Sequence, residues 1–147
     1  MNVKILRYPS EEDWKGVLQR ALVTVGKDSD KAPSQKFRRE QLSARHSPIR
    51  YLQFSFLLED IPSWVSVHLC RHVHAHPYVR SQRNDRQGAY DRNKAPQDSP
   101  VNMILDMNAE ELINIANKRL CGMTSPETRA VVSMMCSLAE THCPEIA

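Results

Sequence analysis

The sequence predicts a single α+β domain. Its 147 residues match the usual length of one domain. Two segments in the first half have the period or residue types of strands, and the last third holds two runs of helical period, each opened by a capping residue. With 41% hydrophobic and 25% charged residues, the chain can bury a core without disulfide staples.

Each element has its own justification. Val3–Tyr8 alternates as a short strand. Ser10-Glu11-Glu12-Asp13 reads as a helix start, with Ser10 as cap and Asp13 at the third position, and the helix is expected to run from Glu11 to Val25 and end at Gly26. Asp28–Ala32 is a polar break, and Ser34–Ala44 reads as a second, basic helix. Arg50–Leu58, with Tyr51, Phe54 and Phe56, reads as a strand. Pro62 and Ser63 open a helix through Trp64, Val67, Leu69 and Val73, broken by Pro77, and Tyr78–Gln82 reads as a short strand. Asn84–Pro100 is polar and rich in Gly and Pro, and reads as a loop or a short helix with a loop. Asn108 caps a helix to about Leu120, with Leu112, Ile115, Ala116 and Leu120 as its apolar stripe, and Cys121-Gly122 ends it. Thr124-Ser125-Pro126-Glu127 opens a last helix to about Thr141, with Pro126 where its missing N–H costs nothing.

Several classes are excluded. No apolar run approaches the roughly 20 residues that span a bilayer, and the first residues lack the apolar core of a signal peptide. Cys70, Cys121, Cys136 and Cys143 form no Cys-x-x-Cys pair, so free thiols in a reducing, cytoplasmic setting are expected.

The net charge of +3 is small, but its distribution is uneven. Residues 36–94 carry net +6, and nine of their cations are arginines: Arg38, Arg39, Arg45, Arg50, Arg71, Arg80, Arg83, Arg86 and Arg92. The planar guanidinium fork suits bidentate binding of phosphate or carboxylate, so a phosphorylated ligand is one reading and a solvated basic face the other. The stretch lacks the periodic stacking aromatics of a nucleic-acid surface.

The densest chemical feature is His68-Leu69-Cys70-Arg71-His72-Val73-His74-Ala75-His76. His72, His74 and His76 share a face on a strand; His68, His72 and His76 share one on a helix. Zinc needs three or four ligands, the distant candidates being His46, His142 and the cysteines, but no zinc spacing is present. Histidines of the core or surface are the other plain reading.

At this segment the sequence resembles the flavin-dependent thymidylate synthases. Their hallmark is Arg-His-Arg, seven residues, Ser, and an Arg two further on. Here Arg71-His72-Val73 is followed after seven residues by Ser81-Gln82-Arg83. His46, in Arg45-His46-Ser47-Pro48, resembles the family histidine upstream of the Tyr51–Leu58 strand. Asp91-Arg92-Asn93-Lys94-Ala95-Pro96 is similar to the family's Ala-Arg-x-x-Leu-Pro segment. Asn108-Ala109-Glu110, Asn114, Arg119 and Thr124–Arg129 follow the order of its Asn-Ala-Arg helix and the segment after it. The resemblance covers residues 45–145.

The resemblance implies a small, mostly antiparallel sheet packed by helices, and a homotetramer that converts dUMP to dTMP. Methylenetetrahydrofolate would supply the carbon, and FAD, reduced by NADPH, would relay it and supply hydride. No enzymic nucleophile is needed, since the flavin carries the hard chemistry. Ser81, Arg83 and Arg92 would hold the dUMP phosphate, and Arg119, the expected catalytic residue, would polarise a uracil carbonyl during attack from C5. Asn108 and Asn114 would contact the flavin, and His46, Arg71 and His72 would lie along FAD. Asn108 and Arg119 stand about 20° apart around a helix; Asn108 also has the plain role of N-cap. No membrane or nucleic-acid partner is implied.

The sequence departs from the family pattern at named positions. Val73 replaces the third hallmark residue, Tyr78-Val79 replaces an Asn-Glu pair, Glu110 replaces an arginine, and Arg50 stands where a glutamate usually follows the upstream histidine. Only eight residues separate Arg83 from Arg92, where the family has a pair of helices, so part of the tetramer wall or folate pocket is expected to be missing. Two alternatives stay open: a relative that modifies another uridine nucleotide at C5, and a non-catalytic nucleotide-binding or assembly protein that keeps the fold.

Overall fold

In the computed structural model, residues 1–85 and 91–147 are described. Four antiparallel strands form one sheet in the order β1-β2-β4-β3. They are β1 (Asn2–Arg7), β2 (Gln53–Pro62), β3 (His76–Val79) and β4 (Pro100–Asn108). The helices are α1 (Glu11–Val23), α2 (Gln35–Ser43), α3 (Ser63–Cys70), α4 (Ala109–Arg119) and α5 (Pro126–His142), with short 3-10 turns at Ser47–Tyr51 and Pro144–Ile146. The α+β class with a small antiparallel sheet is therefore as the sequence predicts.

The core lies on one face of the sheet. Phe54, Phe56 and Leu58 of β2 point into it, as do Val101, Met103, Leu105 and Met107 of β4. They pack with Leu69 of α3, Leu112 and Ile115 of α4, and Val131, Val132 and Met135 of α5. Period two alone would bury position 60 rather than 61. A register shift between Leu58 and Ile61, with Asp60 at φ 53° and its N–H bonded to Asn102 Oδ1, turns Ile61 inward instead.

Caps account for the helix starts. Ser10 and Asp13 close a reciprocal capping box on α1. Ser34, Asn108 and Ser125 each accept a hydrogen bond from the third residue of their helix. Gly26, at φ 68°, terminates α1, with Lys27 N–H bonded back to Leu22 O.

Four expectations need correction. Helix α3 stops at Cys70, not beyond Val73, and the histidine-rich stretch that follows is a turn leading into β3. Strand β3 begins at His76, two residues before the expected Tyr78, and Pro77 sits within it. An edge strand tolerates that proline because its outer N–H positions bond nothing in the sheet. Arg50 and Tyr51 belong to a 3-10 turn rather than to β2. Strand β4 was expected as part of no element, although Val101, Met103, Leu105 and Met107 alternate cleanly. Of the loop between Asn84 and Pro100, residues 86–90, Arg86 included, lie outside the described residues.

Helices α1 and α2 and the C-terminus are tied together by Arg38, which is 5% exposed. It donates to both oxygens of Glu11, to Glu145 Oε1 at 3.3 Å and to Pro33 O, and its guanidinium lies 5.2 Å from the Trp14 ring. Glu145 is itself buried, and beside it burial pushes the Cys143 thiol up to about 12, with the Glu145 charge adding to the effect. Arg38→Ala leaves the Glu145 carboxylate buried without its cation. It is expected to destabilise the protein by about 3–5 kcal/mol in urea unfolding, whereas Lys4→Ala, which removes only an exposed pair with Glu59, leaves the midpoint near wild type.

Candidate functional site

The candidate site forms where the C-terminal ends of α3 and α4 meet. α3 follows β2 directly and α4 follows β4 directly, and β2 and β4 are antiparallel partners. The two helices therefore start from opposite ends of the same strand pair. Arg119, in the last turn of α4, closes the gap. Its Nη2 donates to the His68 carbonyl at 2.8 Å and its Nε to His72 Nε2 at 3.0 Å. The first bond satisfies a carbonyl at the end of α3 that has no helical partner.

A polar chain continues from there. His72 Nδ1 lies 3.7 Å from Glu111 Oε1, and Glu111 Oε2 accepts from Asn114 Nδ2 at 3.2 Å. Asn114 Oδ1 in turn accepts from Arg45 at 3.3 Å. Asn108 Oδ1 caps the Glu111 N–H at 2.9 Å. His72 and Glu111 are 6% and 4% exposed, so the middle of the chain is shielded from water. Burial, and behind it the Arg119 charge, holds His72 below its ordinary 6.5, while Glu111 pulls the other way.

Beside this chain lies a cavity of about 410 Å³ lined by Ser63, Trp64, Val67, His68, Arg71, Gln82, Arg92 and the segment Ala95–Gln97. Trp64 and His68 meet edge-on, with ring centres 5.4 Å apart, and His68 Nδ1 lies 3.2 Å from Thr128 Oγ1. Arg92 also lines an adjoining depression of about 330 Å³ with Arg83, Asn84, Asp85 and Asn93. Arg71 and Arg92 thus line one cavity together with the aromatic Trp64 and His68. Arg83 is already engaged, its Nε and Nη2 on the Asp85 carboxylate at 3.0 and 2.6 Å. Ser81 Oγ accepts from the Arg83 N–H at 3.2 Å.

The expected site residues therefore fall into two groups. His72, Asn108, Asn114 and Arg119 are joined by the polar chain, while Arg71, Arg83 and Arg92 line the cavity and its neighbour and Ser81 lines neither. His46 caps the 3-10 turn, exposed, and lines neither cavity. Asn108 and Arg119 share a helix face but stand about 16 Å apart along it. Sequence reasoning missed Glu111, Trp64 and Gln82. Glu111 carried a signal of another kind, an acid at the third helical position that reads as a capping residue. His68, His72, His74 and His76 do not converge, and among the described residues no three His, Cys, Asp or Glu side chains are placed to hold a metal.

Two of the departures from the family pattern answer each other. Arg50 Nε donates to Glu110 Oε2 at 2.5 Å and its Nη2 to Oε1 at 3.4 Å. The hydrogen bond from Arg50 holds the Glu110 carboxyl below its ordinary range.

Two solved structures share this architecture. A flavin-dependent thymidylate synthase ThyX from Helicobacter pylori, complexed with FAD and dUMP, matches with a TM-score of 0.78 at 13% identity, over 99% of this chain and 97% of that chain. The fold is that of flavin-dependent thymidylate synthase. A second structure of Thymidylate Synthase X from Helicobacter pylori, with FAD and dUMP, matches with a TM-score of 0.75 at 11% identity, over 99% of both chains. No family model matches the sequence, and no curated protein matches it.

The state of His72 makes a pH prediction. The unfolded chain takes up a proton near 6.5 that the folded chain resists. Stability is then full above that pH and falls as the pH drops below it. The urea midpoint is expected to fall between about pH 7 and pH 5, and the fall is expected to be smaller in His72→Gln, which offers Arg119 an amide oxygen and no titrating ring.

Proposed function

We propose that this chain binds a deoxyuridine monophosphate, dUMP, in the cavity between α3 and residues 92–97. The observation that carries the reading is the pairing of Arg71 and Arg92 across a concave surface walled by Trp64 and His68. Two guanidinium groups match a phosphate, and an aromatic wall matches a base. Arg119 lines neither cavity but is bonded to the His68 carbonyl and His72, with three further N–H groups beyond the two it uses, the chemistry that polarises a pyrimidine carbonyl. Arg83 contributes less than the resemblance implies, since Asp85 occupies its fork.

The flavin side of the reading does not fit the residues of this chain. Of the five positions the resemblance gives to FAD, Asn114 spends both amide atoms on Glu111 and Arg45, His72 Nε2 accepts from Arg119, and Asn108 Oδ1 accepts from the Glu111 N–H. Glu110, paired with Arg50, puts an anion where the family has a cation, and Val73 offers no donor at all. A dinucleotide's diphosphate needs cations, and Arg71 is what this set provides.

A second reading is full catalysis: C5 methylation of dUMP, with FAD as cofactor, NADPH and methylenetetrahydrofolate as co-substrates, in a cytoplasmic homotetramer. The fold match favours it, because both neighbours are complexed with FAD and dUMP. Flavin uptake separates the two. Purified protein mixed with FAD and passed through gel filtration is expected to elute colourless; co-eluting flavin, with dUMP-dependent NADPH oxidation, would establish the catalytic reading instead. Calorimetry with dUMP is expected to show binding that Arg92→Ala and Arg119→Ala each weaken by about 1.5–3 kcal/mol, with a smaller loss for Arg83→Ala. No heat with dUMP, or equal heats from all the variants, would sink the pocket assignment.

A further inference from the structure

Glu111 sits at the third position of α4, where an acid usually reaches back to cap the helix. Here only its backbone N–H joins the cap, on Asn108 Oδ1. The carboxylate turns inward, 4% exposed, with one oxygen on Asn114 and the other 3.7 Å from His72 Nδ1. A buried carboxylate with no catalytic or capping duty invites a different account.

The account follows from the far side of the imidazole. An arginine Nε–H can only donate, so its 3.0 Å contact with His72 Nε2 requires a lone pair there. The ring is then neutral, with its proton on Nδ1. That edge faces Glu111, and a carboxylate facing one ring nitrogen decides which nitrogen keeps the proton. The charged groups acting on His72, namely Glu111, Lys118 and Arg119, all come from α4. His68 of α3 contributes its carbonyl to Arg119 and turns its ring toward Thr128.

We propose that Glu111 is a positioning residue of the nucleotide pocket: it fixes His72 with its proton on Nδ1, and His72 in turn holds the Arg119 guanidinium against the α3 wall. This rests on reading the α3 cavity as a dUMP site. Glu111 touches no ligand and acts only through the two side chains beyond it.

The test is long-range proton–nitrogen NMR of the full chain with labelled histidine, run beside calorimetry with dUMP. The wild type is expected to show His72 Nε2 without a proton. Glu111→Leu keeps the bulk and removes the acceptor; it is expected to populate the tautomer with its proton on Nε2 and to bind dUMP about tenfold more weakly, the loss of one oriented charge-assisted hydrogen bond. Glu111→Gln restores an acceptor oxygen and is expected to recover both readouts. Where Glu111→Leu does not fold, Glu111→Asp, which draws the carboxylate away from His72, takes its place with the same expected direction. A wild-type His72 protonated on Nε2, or a substituted protein that keeps tautomer and affinity, overturns the proposal. Wild-type protein that takes up no dUMP, while the substitution still switches the tautomer, overturns the nucleotide reading and the pocket half of the proposal with it. The two failures are thereby distinguished.

Discussion

The register of β2 against β4 is the constraint on which the site depends. Gln53 pairs with Asn108 at one end and Pro62 with Pro100 at the other. α3 leaves the sheet at Pro62 and α4 leaves it at Asn108, so the strand pair sets the separation of the two helix starts. Both helices pack back against these strands, and their C-terminal ends meet where Arg119 reaches the His68 carbonyl and His72. A slip of one residue would turn the core faces of both strands outward. The buried rows at Phe54, Phe56 and Leu58 and at Val101, Met103, Leu105 and Met107 prevent it. The bulge at Asp60 belongs to the same device, because it turns Ile61 into the core before α3 begins.

Charge is distributed between the two sides of the site in opposite ways. On the α4 side nearly every polar group has an internal partner: Arg50 with Glu110, Arg45 with Asn114, Asn114 with Glu111, His72 with Arg119. On the α3 side Arg71 and Arg92 face a cavity. An ion pair already satisfied must be broken and desolvated anew before its arginine can serve a ligand, which erodes any gain. A guanidinium facing an open cavity carries no such cost. The same reasoning ranks Arg92 above Arg83, whose fork is filled by Asp85.

Local chemistry made some of this legible and left the rest hidden. The starts of α1, α4 and α5 were readable because Ser10, Asn108 and Ser125 cap them through bonds that span three residues. β4 depends on a partner strand some forty residues away in sequence, so its alternation of Val101, Met103, Leu105 and Met107 gains meaning only in the sheet. The apolar run Trp64, Val67, Leu69 and Val73 extends the expected helix past Cys70, whereas contact of His72 with Arg119 holds the segment after Cys70 in a turn. Of the motif residues, Arg71, Arg83 and Arg92 line neighbouring cavities, while Ser81 lines neither. Asn108 and Asn114 share an internal partner, Glu111, which acts through an inward rotamer that no spacing rule reveals.

Two buried ionic clusters among the described residues serve different ends. Arg38 with Glu11 and Glu145 joins α1, α2 and the C-terminal turn, and its geometry closes on itself: the guanidinium donates to both carboxylates and to Pro33 O. The cluster around Glu111 and His72 is balanced differently. Its cation, Arg119, is bound through a neutral ring and a carbonyl rather than directly by the carboxylate. Direct pairing with Glu111 would have quenched the Arg119 charge at short range. Interposing His72 fixes the position of the guanidinium while leaving its charge largely unspent. That is the arrangement expected where a cation must be held still and still act on something beyond the protein.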